Sequence, residues 1–286
     1  MNDKFSFKKG HRGRAIFLIC NYMFLIALMI CMTIPLLKVM VDSIDPTTYG
    51  IRLFPKKVDF SAYKHILSRS SLYRPLWISV YSTIVATVVG LLLTTLAGYV
   101  IIQREMPGHK LIVNSIMLTM LFSGGMIPTY LTIKTLGLMN NVMTCILPVC
   151  LSSYNIILMK SFFEGIPGTL YEAAELDGAT PVGIFARIVL PLSKPALASI
   201  GLFIAVGMWN NYMNFVLYIT DTNKKNFQVK VRELILNDGL SGSSIDISED
   251  MLKNAMVVIV VMPFLIIYPF LQKYFVKGVT IGAVKG

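Results

Sequence analysis

The residues of this chain best suited to act on a partner lie between 171 and 191. Tyr171, Glu172, Ala173, Ala174, Leu176, Asp177 and Gly178 are followed by Ile188, Leu190 and Pro191. Their chemistry is not bond making. The Glu172 carboxylate can pair with a basic residue across an interface, and two small alanines let a helix sit close against another surface. Tyr171 and Leu176 add apolar area that water would not favour. By themselves these residues fit a docking helix and a plain hairpin capping a bundle equally well.

A second group is Trp209, Asn210, Asn211, Tyr212 and Asn214. Aromatic faces stack on sugar rings and amides bond hydroxyls, which suits a solute path or gate. Asn side chains also bond neighbouring membrane helices, and that is the competing use. Catalytic patterns are missing. The sequence has no H-E-x-x-H, no G-x-S-x-G and no G-x-x-x-x-G-K-[ST]. His11, His65 and His109 are far apart, and Cys20, Cys31, Cys145 and Cys150 all fall in apolar runs without a C-x-x-C. No catalytic residue, metal site or resident cofactor is expected.

The elements that carry these groups must be built for lipid. Of 286 residues 55% are apolar and 14% charged, where a soluble domain carries roughly 25% charged. Mean hydropathy is +0.67. The net charge of +11 fits Lys and Arg at loop ends facing anionic headgroups, and no basic face with interleaved aromatics points to nucleic acid. Six runs are long enough to span a bilayer, about 15–37, 76–102, 111–133, 142–159, 197–219 and 254–272, and none contains Asp, Glu, Lys or Arg. The expected fold is all-α, a polytopic membrane protein of six transmembrane helices in one permease domain over 1–286. The first run is too long for a signal peptide and reads as an uncleaved helix.

An even number of spans puts both termini on one side. The 26 Lys and Arg divide evenly between the two sides, so the total decides nothing. Lys4, Lys8, Lys9, Arg12 and Arg14 before the first span favour cytoplasmic termini. Ser123-Gly124-Gly125, Pro128, Pro148, Pro263 and Pro269 interrupt spans, as packing kinks or at a pathway. Outside the spans, Phe60-Ser61-Ala62-Tyr63 reads as amphipathic, and Val229-Lys230-Val231-Arg232 alternates like a short strand or extended loop.

The loop 160–194 then reads as two short helices about a sharp turn. Thr169-Leu170-Tyr171-Glu172 fits a capping box. Gly178 supplies a residue tolerant of positive φ at a helix end. Thr180 is an N-cap with Pro181 in the first turn, and Pro191 and Pro195 discourage helix before the next span.

Glu172-Ala173-Ala174, Gly178, Ile188, Leu190 and Pro191 together resemble the EAA loop of binding-protein-dependent ABC importer permeases. Ile166-Pro167 and Tyr171 are similar to the carbohydrate branch, the maltose-type second permease. The segment 121–131, Leu136-Gly137-Leu138 and the tail 268–286 are similar to LplC/YtcP-type permeases for polysaccharide fragments. The resemblance implies a type I importer permease fold in a bacterial cytoplasmic membrane, with both termini cytoplasmic. It implies that the loop is a coupling helix docking on two copies of a cytoplasmic ATPase, which holds ATP and magnesium. A second homologous permease would complete a heterodimer, and an extracytoplasmic solute-binding protein would meet outer loops such as 220–253. Lys285 would reach towards the ATPase. The implied cargo is a sugar or oligosaccharide. The alternative is a self-sufficient secondary active transporter for a small polar solute. The lack of intramembrane charge weighs against it, although unwound helices can hold ions by their carbonyls.

Overall fold

In lipid a chain must satisfy its own backbone hydrogen bonds, so apolar runs become helices. The computed structural model describes residues 12–47, 50, 52–236 and 248–283. Lys285 lies outside them. Helices α1 (Arg12–Asp42), α2 (Ser61–Ser68), α3 (Ser70–Ile102), α4 (His109–Leu121), α5 (Met126–Thr135), α6 (Val142–Cys150) and α7 (Ser153–Glu164) come first. Short α8 (Gly168–Leu176) and α9 (Pro181–Ile184), a π-helical turn Phe185–Val189 and α10 (Leu190–Leu192) lead to α11 (Lys194–Trp209). Then come α12 (Met213–Tyr218), α13 (Phe227–Leu236) and α14 (Glu249–Ala283). No strand occurs among the described residues.

Four stretches are long and apolar enough to cross a membrane, Gly13–Asp42, Ser70–Ile102, Val142–Glu164 and Glu249–Ile267. Two bent pairs raise the number to 6 if each is one span: α4 with α5, bent by 114°, and Pro181–Leu192 with α11, bent by 80°. The first bend falls at residues 122–125, where Ser123-Gly124-Gly125 interrupts the run.

The chain divides into two compact units. One draws on Met1–Ile66 and Gly239–Ile259. Its α1 exposes apolar side chains along its length, Phe17, Met23, Phe24 and Met32 among them. After α1, Ser43 Oγ and Tyr63 Oη share a hydrogen bond of 2.8 Å. Asp45 then organises the turn. Its carboxylate accepts from Thr47 Oγ1 at 2.6 Å, Thr47 N at 2.9 Å and Lys56 N at 2.7 Å. Those donors hold its pKa far below the usual carboxylate range, the Thr47 hydroxyl first. Helix α2 buries Ala62 and Ile66, as the amphipathic reading of that segment requires.

The other unit, Leu67–Asp238 with Val260–Gly286, is organised by α3. Ser79, Ser82, Ala86, Gly90, Thr94 and Gly98 fall three or four residues apart on α3, and all are buried. Small residues at this spacing let membrane helices approach closely. A Cβ on Gly90 would meet Ile204 Cδ1 of α11 at 3.0 Å and the Cys150 Cα of α6 at 3.2 Å. At Gly98 it would meet Met159 Cγ of α7 at 3.0 Å. Cys145 and Cys150 are buried packing residues, and the Cys150 thiol points to the Ala86 carbonyl at 3.6 Å.

The alternation at Val229–Arg232 does not make a strand: these residues belong to α13. Buried Asn226 decides it, because its Oδ1 accepts from Val229 N at 3.1 Å and its backbone O from Lys230 N at 3.2 Å. Lys225 and Glu233 add an ion pair of 2.7 Å.

Candidate functional site

The bent lever is built by two local motifs. At the end of α8, Gly178 takes φ +75°. Its N–H donates to Glu175 O at 3.0 Å and the Ala179 N–H to Ala174 O at 2.9 Å. This pair of bonds is the Schellman arrangement, which needs a residue at ease in the left-handed region. The chain then restarts at Thr180, whose Oγ1 accepts from Gly183 N at 3.2 Å, with Pro181 in the first turn. Both features match the sequence-based expectation.

Two others do not. The capping box does not form: α8 begins at Gly168 behind Pro167, whose carbonyl accepts from Leu170 N at 3.0 Å, so Thr169 is already helical. Glu172 is therefore released from capping and stands exposed. Nor does Pro191 end the helical path. An α-helix there would need an N–H that proline lacks, and its ring would strike the Arg187 carbonyl. The path widens instead into the π turn, in which Leu190 N donates to Phe185 O, and the sharp bend falls at Ser193.

The lever has an inner and an outer face. Ala174, Ile184 and Val189 are buried, and Tyr171 and Ile188 are half-buried. Tyr171 Oη donates to Phe163 O at 3.4 Å. Burial, and secondarily Tyr99 nearby, push the Tyr171 pKa up, so its hydroxyl remains a donor. Outward stand Glu172, Ala173, Asp177 and Pro191, with Leu176 89% and Val182 75% exposed. The alanines thus divide: Ala174 seats the lever on its bundle and Ala173 faces away.

Tyr99 of α3 is a residue that sequence reasoning missed. Its Oη donates to Pro181 O at 3.0 Å and its ring packs on Phe185, centroids 4.9 Å apart. An amphipathic aromatic at the end of a long apolar run was the available signal. A cavity of about 630 Å³ opens behind the lever, lined by Tyr99, Phe163, Tyr171, Glu175 and Ile184 among others. Glu164, paired with Lys160 at 2.8 Å, borders it.

The second group straddles a break at 210–212, with Trp209 ending α11 and Asn214 in the first turn of α12. The Trp209 indole is buried and donates to Val260 O at 3.0 Å. Asn211 serves the break: its Oδ1 accepts from Asn214 N at 3.2 Å, and its carbonyl accepts from Asn226 Nδ2 at 2.7 Å. Asn210 is exposed and accepts from Gln228 Nε2 at 3.4 Å. Arg232 lies over the Tyr212 ring, 4.8 Å from its centroid. Trp209 and Asn211 are thus engaged in holding the break, while Asn210, Tyr212 and Asn214 keep open surface. Among the described residues no His, Cys, Asp or Glu cluster could hold a metal.

A helical bundle with broken spans and an exposed lever is the architecture of a membrane permease. One solved relative, a bacterial ABC transporter involved in the import of the acidic polysaccharide alginate, superposes with a TM-score of 0.86 at 29% identity over 95% of this chain and 100% of that one. The chain belongs to the family of binding-protein-dependent transport system inner membrane components, whose sequence profile matches residues 111–281. Protein LplC of Bacillus subtilis is 37% identical over 281 residues, 95% of either chain. The polygalacturonan/rhamnogalacturonan transport system permease protein YtcP of the same organism is 40% identical over 241 residues, 82% of this chain and 84% of that one. The protein is accordingly a permease subunit of an ABC importer, not an enzyme, and family membership removes the secondary transporter.

Proposed function

We propose that this chain carries oligosaccharides cut from a polysaccharide across the bacterial cytoplasmic membrane, and that α8 is its coupling helix. The observation that carries the reading is the outer face of the lever. Glu172 and Leu176 stand exposed on a helix whose other face is seated by Ala174 and Tyr171. A charge beside a large apolar side chain is what a partner's groove can grip. The polysaccharide relatives support the cargo.

In this reading two cytoplasmic ATPase subunits, which hold ATP and magnesium, close and drive the lever. A second homologous permease completes the pathway, and a solute-binding protein delivers cargo from outside. Both termini are cytoplasmic, and the whole chain acts as one permease domain. Lys285 is a contact of the tail with the ATPase. The lever moves α11 through the Ser193 bend, and α11 ends at the amide-rich break. Asn210, Tyr212 and Asn214 are its path-facing members. The switch is a rigid-body change between two packings.

Site-directed crosslinking tests the lever. A cysteine at Leu176, with Cys20 and Cys31 replaced, should crosslink to the ATPase in the assembled complex. Glu172→Lys should abolish uptake while the complex still assembles. Absence of the crosslink together with normal uptake by E172K would remove the coupling assignment.

A further inference from the structure

At the end of α3 away from the lever, the same unit holds a second cavity, of about 550 Å³. Tyr81 lines it, 18 residues before Tyr99 and so about 27 Å up the helix. Met139, Asn140, Asn141, Met143 and Lys224 line it too. Its volume is within the range of small-ligand sites.

The loop at its floor is held in an unusual shape. Asn140 has φ +61°, the one non-glycine residue with positive φ among those described. Three hydrogen bonds fix it there. Its N–H donates to Tyr218 O at 2.7 Å, its Oδ1 accepts from Asp221 N at 3.0 Å, and its carbonyl accepts from Lys224 Nζ at 3.0 Å. Asn140 thereby positions Lys224. The ammonium has donors to spare, since it makes one bond to a carbonyl and no ion pair among the described residues. The nearest acid in sequence, Asp221, turns its carboxylate to its own backbone, accepting from Asn223 N at 2.9 Å. Arg74 adds a second cation at this end, bonded to Asn223 Oδ1 at 3.3 Å. Asn141 Oδ1 caps α6 through Met143 N at 3.0 Å, which leaves its amide N–H donors for something else. Tyr81 presents a half-exposed ring.

We infer that this cavity is a subsite for an acidic sugar, with Lys224 taking the carboxylate of a uronate unit. The inference rests on the oligosaccharide reading above and narrows it to anionic cargo. The Tyr81 ring and the two methionines cover the apolar face of the sugar. Asn141 Nδ2 and the Tyr81 hydroxyl serve its hydroxyls. The Lys224 ammonium makes a charge-assisted bond to its carboxylate. A neutral sugar of the same shape loses that bond and leaves the ammonium without an anion.

The test is uptake by the reconstituted complex with its binding protein, using trigalacturonate and galactotriose of the same linkage as probes. The parent should prefer the acidic trimer by about tenfold, as for a hydrogen bond to a charged group. Lys224→Gln should bring the two rates together, and Lys224→Arg should keep them apart. Raised salt should narrow the parent's preference. Equal parental rates for both probes overturn the acidic subsite while leaving sugar import intact. A preference that survives K224Q overturns the role of Lys224. Uptake of neither probe removes the cargo assignment and this subsite together.

Discussion

Gly178 and Gly90 are glycines for different physical reasons, and the two reasons predict different failures. Gly178 has open space where a Cβ would lie, and φ +75° is its only demand. Replacement by Ala should cost about 1–2 kcal/mol of local turn stability, and a β-branched residue more. The bundle itself should hold. We expect G178V to reduce uptake sharply with an unchanged melting temperature of the complex, and Asn, which tolerates left-handed backbone, to restore much of it. Gly90 has an ordinary φ but meets Ile204 and the Cys150 backbone. G90V should overpack the α3–α11 contact at about 1–3 kcal/mol, lowering the melting temperature. If G178V lowers the melting temperature as much as G90V, the turn is part of the bundle's stability and not a separate lever.

At the scale of elements, the joint between α8 and α9 is stabilised from both sides, and Thr180 is its simplest test. Thr180→Ala should cost about 1 kcal/mol and weaken coupling, while Thr180→Ser keeps the acceptor and should restore it. Uptake that does not distinguish the two would mean that the Thr180 Oγ1–Gly183 N bond does not matter to the lever. This joint was legible in the sequence because its causes are local: one glycine, one cap and one proline within four residues. Elsewhere a competing group decides. Thr169 looked like a cap, but Pro167 had already fixed the start of the helix. Val229 to Arg232 alternate as a strand does, yet Asn226 caps a helix there, and Phe227 N is received by Ser79 Oγ of α3 at 2.9 Å. Pro191 discourages helix, and the π turn that accommodates it has no sequence signature. For residues 209–214 the sequence leaves a solute path and inter-helix bonding both open, because the partners of Trp209 and Asn211, Val260 and Asn226, are brought to them by no spacing rule. The small-residue stripe of α3, by contrast, is legible in the sequence from its spacing of three and four alone.

For the whole molecule, hydropathy gives the spans but not the direction in which they run, because the basic residues balance. Direction matters mechanically. A lever that meets a cytoplasmic motor must lie inside, and a subsite for arriving sugar must open outside. Tyr81 and Tyr99 on one continuous helix place the acidic-sugar cavity and the lever at opposite ends of the same unit, so labelling either one fixes both. We expect a cysteine at Leu176 to react with a membrane-impermeant maleimide only after the membrane is opened. One at Thr222, exposed near the far cavity, should react in intact cells. Cys20 and Cys31 are exposed in this chain and must be removed from the background first; Cys145 and Cys150 are buried and can remain. Labelling at Leu176 in intact cells would put the lever out of an ATPase's reach. The coupling assignment would then fail even with every hydrogen bond in the turn as described.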